Sequence, residues 1–264
     1  MSESRLAPAW AELRGQGRTA LIPYLTAGYP SAEASLEALR AADDVADILE
    51  VGVPFSDPLA DGPTIQRSTF EALRQGMTLA GTLALIERAR LTRPIVVFSY
   101  LNPILRYGLE RFLHDADALG VAGLLLTDLP AGSDPAVERQ VQASSLDLIR
   151  LIAPTTRPER LATSVQGAQG FVYLVARLGV TGASAALAEG LEASIARVRQ
   201  ATPLPVAVGF GISTAAQART VAGQADGVVV GSALVDALGT NGVAGARRFL
   251  GALRDALDGR TVAR

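Results

Sequence analysis

The sequence predicts an α/β fold in which eight parallel strands, each followed by a helix, close into one barrel. Short runs rich in Val, Leu and Ile alternate along the chain with amphipathic stretches of about ten or more residues. Eight such runs in 264 residues match the roughly 250 residues of a typical (β/α)8 TIM barrel. No linker, low-complexity tract or change in composition divides the chain, so we expect a single domain. An open, doubly wound sheet is the alternative on this pattern.

Each element follows from one of two periodicities. The strand candidates are short apolar runs bounded by turn-forming residues, and they cover 21–28, 46–55, 94–102, 123–130, 146–154, 171–179, 205–212 and 227–234. The helix candidates repeat apolar residues at three- and four-residue spacing. In order they are AEASLEALRAA, TFEALRQG, LERFLHDADALG, PAVERQVQAS, PERLATSVQGA, LEASIARVRQA, TAAQARTVAGQ and GARRFLGALRDAL. We expect residues 1–19 to form an extra N-terminal helix that caps the barrel's bottom, 20–235 the barrel core, and 236–264 a C-terminal helix and tail.

Composition excludes several classes of function. The net charge of -2 provides no basic stripe for nucleic acid or an anionic membrane, and no long apolar run or signal pattern is present. We therefore expect a cytoplasmic protein that handles metabolites. The chain has no cysteine and one histidine, His114, which excludes thiolate nucleophiles and multi-histidine sites, so we expect no bound metal. All 24 basic residues are arginine, and without lysine the chain forms neither a Schiff base nor a Walker-type phosphate loop.

The second strand candidate contains a single acid, Glu50. Side chains alternate along a strand, so Leu49, Val51 and Val53 share the apolar face that meets the helices. Glu50 then points into the barrel, toward the end where barrel enzymes carry their chemistry. A carboxylate moved into apolar surroundings has a raised pKa, and it can give and take a proton near neutrality. The alternative is structural, with Glu50 paired with an arginine or capping a backbone amide.

The loop SDPLADGPTIQ (56–66) follows this strand. Its prolines restrict the backbone and lower the cost of ordering the loop, so Asp57 and Asp61 are expected on a stiff lid. Ordinary turn chemistry is the alternative, and it suits Asp57, which precedes Pro58. Asp61 lies deeper in the lid and is the better candidate for contact with a ligand.

Glycine-bounded turns follow the last three strand candidates, as GVTG (179–182), GFGIST (209–214) and GSAL (231–234). Glycine lets backbone amides approach an anion, and barrels often bind phosphate after strands seven and eight. We expect a phosphate group to be held there by amides and by hydroxyls such as that of Ser232. Simple tight turns are the alternative for any one of these loops. GFGIST lacks the third glycine of GxGxxG and comes late in the chain, so a dinucleotide site is not indicated.

These motifs resemble the tryptophan synthase alpha subunit family. The most specific is EVGVPFSDPLADGPTIQ (50–66), and the others are PYLTAGYP, YLNPILRYG, TDLP, APTT, GVTGA and PVAVGFGIST. The resemblance runs from about residue 20 to residue 235. It implies a lyase of tryptophan biosynthesis that cleaves indole-3-glycerol phosphate, by a retro-aldol reaction, to indole and glyceraldehyde 3-phosphate.

The resemblance also implies a role for individual residues. Glu50 matches the general acid-base at indole C3 and the glycerol hydroxyl, Asp61 the carboxylate that accepts the indole N–H, and Tyr173 a tyrosine with a secondary role. The remaining implied positions are the apolar indole pocket (Tyr24, Leu125, Ile152, Phe210), the phosphate site (Gly182, Gly211, Gly231, Ser232), the closing loop (Thr181) and a partner interface (Pro54, Asp57).

A partner is implied as well. The family passes indole through a tunnel to a beta subunit, in an alpha2beta2 heterotetramer, where pyridoxal phosphate joins it to serine. No cofactor is expected on this chain, and neither nucleic acid nor a membrane is an expected partner. Composition agrees independently, because an aldol cleavage without lysine or a metal must use the indole ring as the electron sink. That requires one acid at carbon and one carboxylate at nitrogen.

Three other interpretations stay open at this point. Another barrel enzyme acting on a phosphorylated sugar, such as a phosphoribosyl isomerase, would share the phosphate loops but would not need PFSDPLADGP. A non-catalytic subunit that only switches a partner allosterically is argued against by the presence of both Glu50 and Asp61. A plant-type lyase that works alone would be highly active without a partner.

Overall fold

The computed structural model of the chain describes residues 3–153, 155–175, 185–209 and 211–259, without the side chains of 185–189. Eight strands pair in parallel, each with the next along the chain, and the last pairs with the first. They are β1 (Ala20–Thr26), β2 (Leu49–Gly52), β3 (Ile95–Ser99), β4 (Val121–Leu126), β5 (Asp147–Ile152), β6 (Val172–Val175), β7 (Val206–Gly209) and β8 (Gly227–Val230). The closed order confirms the predicted single-domain barrel and excludes the open sheet.

Helices surround this barrel. They are α1 (Ala7–Gly15), α2 (Ala32–Asp43), α3 (Pro63–Arg74), α4 (Leu79–Ala89), α5 (Leu101–Tyr107), α6 (Leu109–Ala118), α7 (Pro135–Ala143), α8 (Pro158–Ser164), α9 (Ala185–Ala201), α10 (Ala215–Ala222) and α11 (Ser232–Leu257). Several begin at a residue whose side chain accepts a first-turn N–H, as Ser31 does from Ala34 at 3.2 Å. Within the described ranges no helix has both the length and the apolar character needed to cross a bilayer.

The strands sort their side chains into two apolar layers. Inward-facing residues such as Ile22, Ile48 and Val96 form a cluster along the barrel axis. Leu49 and Val51 instead pack in the larger cluster between the strands and the helices, as the alternation predicts. Glu50 is therefore on the inward face of β2, between two residues that face the helices.

Helix α1 covers the amino end of the barrel. Its Trp10 belongs to the interior cluster, with its ring centroid 5.6 Å from that of Phe171. The carboxylate of Asp147 accepts hydrogen bonds from the Ser4 hydroxyl (2.7 Å) and the Leu6 N–H (3.0 Å), which fixes the segment that enters the helix. Catalytic chemistry is accordingly expected at the opposite end, where the strands have their carboxyl termini.

The structure differs from the predicted element boundaries at the carboxyl ends of the strands. The candidates 46–55 and 94–102 correspond to β2 and β3, which end at Gly52 and Ser99. The chain beyond each strand stays apolar because Val53 and Leu101 pack in the cluster between the strands and the helices, so apolar character does not mark the end of a strand. Helix α4 and the short α5 were also not among the helix candidates. Pro103 suggests a turn in α5, but proline is tolerated in a helix's first turn.

Candidate active site

A cavity of about 560 Å³ opens at the carboxyl end of the barrel. That volume lies within the roughly 300–1,000 Å³ range of small-molecule sites. The structure brings seven of the predicted site residues together on its wall: Tyr24, Glu50, Asp61, Tyr173, Gly211, Gly231 and Ser232. They come from β1, β2, the loop after β2, β6, and the segments after β7 and β8, so the cavity is assembled from distant parts of the chain.

Glu50 is the deepest acid in this cavity. In the register of the sheet it lies between Tyr24 on β1 and Val96 on β3, and it is 1% exposed. Neither carboxylate oxygen has a hydrogen-bond partner among the described residues. Burial raises the pKa of Glu50 to about 8, because the charged form loses its hydration. At neutral pH this side chain is mainly a neutral carboxylic acid.

The structural alternative for Glu50, a paired or capping acid, is what the nearby Asp47 shows. That carboxylate accepts hydrogen bonds from the Leu21 N–H and from the Arg254 guanidinium, each at 2.8 Å. Both acids are buried, yet only Asp47 is given partners by the described part of the fold. A buried polar group left without a partner costs stability, and such groups in native proteins often serve function.

Two tyrosines flank Glu50, and each depends on a glycine of the next strand. Tyr24 pairs in register with Glu50, and Gly52 lies two residues further along β2. A Cβ on Gly52 would collide with the Tyr24 hydroxyl, and a Cβ on Gly209 would collide with the Tyr173 hydroxyl. The two glycines therefore create the space in which the phenol rings lie across the barrel mouth. Burial raises the pKa of both tyrosines, so each stays a neutral phenol.

Asp61 is held in the cavity wall by contacts from two other elements. Its Oδ2 accepts a hydrogen bond from the Tyr100 hydroxyl at 3.1 Å, and that hydroxyl also accepts the Ala60 N–H at 2.9 Å. The Gln66 side-chain amide donates to the Asp61 carbonyl at 2.9 Å. Burial raises the pKa of Asp61 to about 6, and the Tyr100 hydrogen bond opposes that rise. At neutral pH most of this group is the carboxylate.

Two helices begin at one end of the cavity. Thr214 caps α10 through a capping box, in which the Gln217 side chain accepts the N–H groups of Ser213 (2.8 Å) and Thr214 (3.2 Å). Helix α11 begins after Gly231 without a side-chain cap, and Gly231 and Ser232 both line the cavity. First-turn amides without a side-chain partner attract an anion, so α11 supplies the more available of the two helix ends.

Two of the predicted indole-pocket residues are not on the cavity wall. Leu125 is fully buried in the interior cluster, paired in register with Phe98, which does line the cavity. Ile152 pairs with Leu174, and the strand alternation directs it toward the helices, while its neighbour Leu151 packs against the interior cluster. The structure thus separates Ile152 from the other predicted pocket residues.

The remaining predicted positions lie on the loop after β2 or outside the described residues. Pro54 is buried and Asp57 is exposed. Thr181, Gly182 and Phe210 lie outside the described residues.

The prediction gave no role to Tyr100, which contacts Asp61, or to several residues of the cavity wall. Tyr100 lies in YLNPILRYG just beyond β3, where a polar side chain at a strand's carboxyl end is a usable signal. The wall residues without a predicted role include Ile65, Phe98, Ile212, Thr214, Gln217 and Asp236. Within the part of the chain that is described, no three His, Asp or Glu side chains are grouped closely enough to hold a metal ion.

Comparison with known proteins identifies the family. The model of the family described as tryptophan synthase alpha chain matches residues 10–251. The chain belongs to the tryptophan synthase alpha chain family. A curated tryptophan synthase alpha chain from Acidiphilium cryptum (strain JF-5) is 49% identical over 239 residues, which cover 89% of this chain and 87% of that protein.

Solved structures of the family superpose closely on this barrel. The aminoacrylate-bound tryptophan synthase of M. tuberculosis matches with a TM-score of 0.87 and 41% identity, covering 96% of this chain and 99% of the other. Tryptophan synthase subunit alpha from Legionella pneumophila str. Paris matches with a TM-score of 0.88 and 32% identity, covering 98% and 100%. The match therefore covers nearly the whole of both solved chains.

Proposed function

We propose that this chain is a lyase that cleaves indole-3-glycerol phosphate to indole and glyceraldehyde 3-phosphate, as the alpha subunit of a tryptophan synthase. One observation carries the proposal: two acids with different protonation states at neutral pH face a single cavity whose far end is an uncapped helix terminus. In an active site, two acids with different pKa values can act as a proton donor and as a charged carboxylate at the same pH.

Glu50 supplies the proton that begins the reaction. Held neutral by burial, it protonates C3 of the indole ring, which turns the ring into an electron acceptor. Asp61 accepts the indole N–H, and its negative charge stabilises the positive charge that develops at that nitrogen. With both groups in place, the ring performs the role that a lysine Schiff base performs in other aldol cleavages.

The carbon–carbon bond then breaks, and Glu50 takes up the proton that is released. The bond between ring C3 and the glycerol carbon breaks, and its electron pair returns to the ring, which becomes aromatic indole. The hydroxyl on that glycerol carbon loses its proton and becomes the aldehyde of glyceraldehyde 3-phosphate. Glu50, ionised by the first step, accepts the hydroxyl proton and returns to its starting state.

Binding and orientation come from the rest of the wall. The backbone amides near Gly211 and Gly231 and the Ser232 hydroxyl hold the phosphate at the α11 terminus. Tyr24 and Phe98, whose rings meet edge to face at 5.2 Å, form an apolar wall for the indole ring. Tyr173 has a secondary role beside Glu50. No step needs a cofactor on this chain.

The loop that carries Asp61 also has an exposed surface that could bind a partner protein. Leu59, close to the exposed Asp57, is 83% exposed, more than any other large apolar side chain that the structure describes. We assign the exposed Leu59 and Asp57 to the interface with a beta subunit in an alpha2beta2 complex. Pro54, which was predicted at the same interface, is buried in this chain and offers a partner little surface. Pyridoxal phosphate on that subunit would supply the chemistry that joins indole to serine. The complex would work in the cytoplasm.

Steady-state indole production tests the proposal. Purified chain is assayed with indole-3-glycerol phosphate, with and without a beta chain, together with Glu50→Gln and Asp61→Asn. Each substitution should lower kcat by about 100- to 10,000-fold, because each removes one proton-transfer or charge-stabilising group. Glu37→Gln, on the exposed face of α2, is the matched control and should retain full activity.

Each contrary result supports a different alternative. No indole with or without the beta chain would reject the lyase and favour a regulatory subunit or another phosphosugar enzyme. Full activity without any partner would favour a lyase that works alone.

A further inference from the structure

A third acid, Asp236, lines the cavity at its phosphate end. It lies four residues after Ser232, one turn into α11. Because the Cα–Cβ bonds of a helix tilt toward its N-terminus, the Asp236 side chain leans back toward the uncapped first turn. Negative charge there repels the anion that this terminus is proposed to bind.

Helix α3 supplies a donor to each oxygen of this carboxylate. Arg67 Nη2 donates to Asp236 Oδ1 at 2.5 Å, and the Thr64 hydroxyl donates to Asp236 Oδ2 at 3.1 Å. Arg67 and Thr64 are three residues apart and so lie on the same face of α3, which directly follows the loop carrying Asp61. The guanidinium and the carboxylate are each about half exposed, so the pair borders the mouth of the cavity.

We propose that Arg67 is a positioning residue for the substrate phosphate, which it admits by neutralising Asp236. The inference rests on the proposed function, since it concerns the anion that this cavity binds. Arg67 acts through Asp236 and contacts no reacting atom. Its effect should therefore fall on substrate affinity and leave the chemical step alone.

The direction in which each substitution should change KM follows from the charges that it removes. Arg67→Ala leaves the carboxylate unpaired near the phosphate and should raise KM about three- to tenfold at low salt. Asp236→Asn leaves the guanidinium unpaired and should lower KM, by about two- to fivefold. The double variant should return close to the wild-type KM, and Arg67→Lys should stay within about twofold of it. In every case kcat at saturation should change by less than about twofold.

A purely structural bridge between α3 and α11 predicts something different. Either single substitution breaks the same bridge, so both would change KM in the same direction and the double variant would not recover. If Asp236 only stabilises the start of α11 through the helix dipole, Asp236→Asn would lower the melting temperature without improving KM. Opposite signs in the two single variants are the signature of charge compensation.

The experiment measures steady-state KM and kcat at two ionic strengths, with glycerol 3-phosphate affinity determined by calorimetry on the same proteins. Arg247→Ala is the control, because Arg247 pairs with Asp44 at 2.8 Å with similar exposure, away from the cavity. KM changes of the same sign in both single variants, or none, would overturn the proposal. Calorimetry needs no turnover, so a wild type that binds glycerol 3-phosphate without making indole would contradict the lyase assignment and still test Arg67.

Discussion

Replacing Glu50 with glutamine tests whether burial sets the protonation state of the deepest acid in the cavity. Glutamine keeps the size of the side chain and removes its ionisation. In the unfolded chain Glu50 titrates at its ordinary pKa of 4.5, whereas burial raises that pKa to about 8 in the fold. Below pH 4.5 the carboxyl is protonated in both states, so its ionisation does not affect the free energy of unfolding. Between pH 4.5 and pH 8 only the unfolded chain releases the proton, so the free energy of unfolding falls as pH rises.

The size of this effect follows from the two pKa values. Each pKa unit corresponds to about 1.36 kcal/mol. The rise of the Glu50 pKa from 4.5 to about 8 therefore lowers the free energy of unfolding by about 5 kcal/mol above pH 8. Relaxation of the fold around the ionised carboxyl lowers this figure, which makes it an upper bound. Between pH 5 and pH 8 the stability of Glu50→Gln relative to wild type should grow by up to about 3 to 4 kcal/mol.

Urea unfolding of both proteins, repeated from pH 5 to pH 9, measures this difference. Groups that titrate identically in the two proteins cancel, which isolates Glu50. Glu37→Gln, at an exposed position on α2, is the matched control for replacing a glutamate by glutamine. A flat curve for Glu50→Gln would show that Glu50 ionises as if solvated, and the acid role assigned to it would lose its physical basis.

Two further substitutions probe the neighbours of the acids. Tyr100→Phe removes the donor that opposes the raised pKa of Asp61, so the acidic limb of the kcat/KM profile should move to higher pH, with a loss of about three- to tenfold at pH 6; an unmoved limb would contradict this. Gly209→Ala forces a Cβ into the Tyr173 hydroxyl, so kcat/KM should fall at least about tenfold, with a destabilisation of about 1 to 3 kcal/mol in thermal unfolding. Gly190→Ala, where a Cβ meets no atom within 4 Å, should cause neither change, and equal losses in both would refute the steric argument.

The fold was predictable because its main signals are local. Alternation along 49–53 places Glu50 inward, and runs of Val, Leu and Ile recur at the spacing of a barrel. Strand boundaries were less predictable, since β2 ends at Gly52 while the apolar character of the sequence continues beyond it. The face on which a strand residue lies is also hard to predict, because a one-residue change in register moves a side chain to the other face. Ile152 was predicted in the indole pocket, and the structure places it on the face toward the helices.

The site was predictable only where one residue's chemistry is unusual for its position. An acid within an apolar strand identifies Glu50 without any knowledge of its neighbours. Asp236 is ordinary in sequence, and the sequence marks Tyr100 only by its place at the end of β3. The contact of Asp61 with Tyr100 and that of Arg67 with Asp236 appear only in the fold. Such long-range pairs leave no periodic signal in the sequence, so three-dimensional structure is needed to find them.

The two proposed catalytic acids differ in how the fold fixes them. Glu50 lies on a strand paired on both sides, so the closed barrel sets its position, and its carboxylate has no hydrogen-bond partner among the described residues. Asp61 lies on a loop, and its position depends on the Tyr100 hydroxyl and the Gln66 amide. A protein that binds the exposed Leu59 side of this loop would therefore change the geometry and pKa of Asp61 far more than those of Glu50. Activation by a partner should consequently appear in the stabilisation of charge at the indole nitrogen, with proton delivery to carbon already set by the barrel.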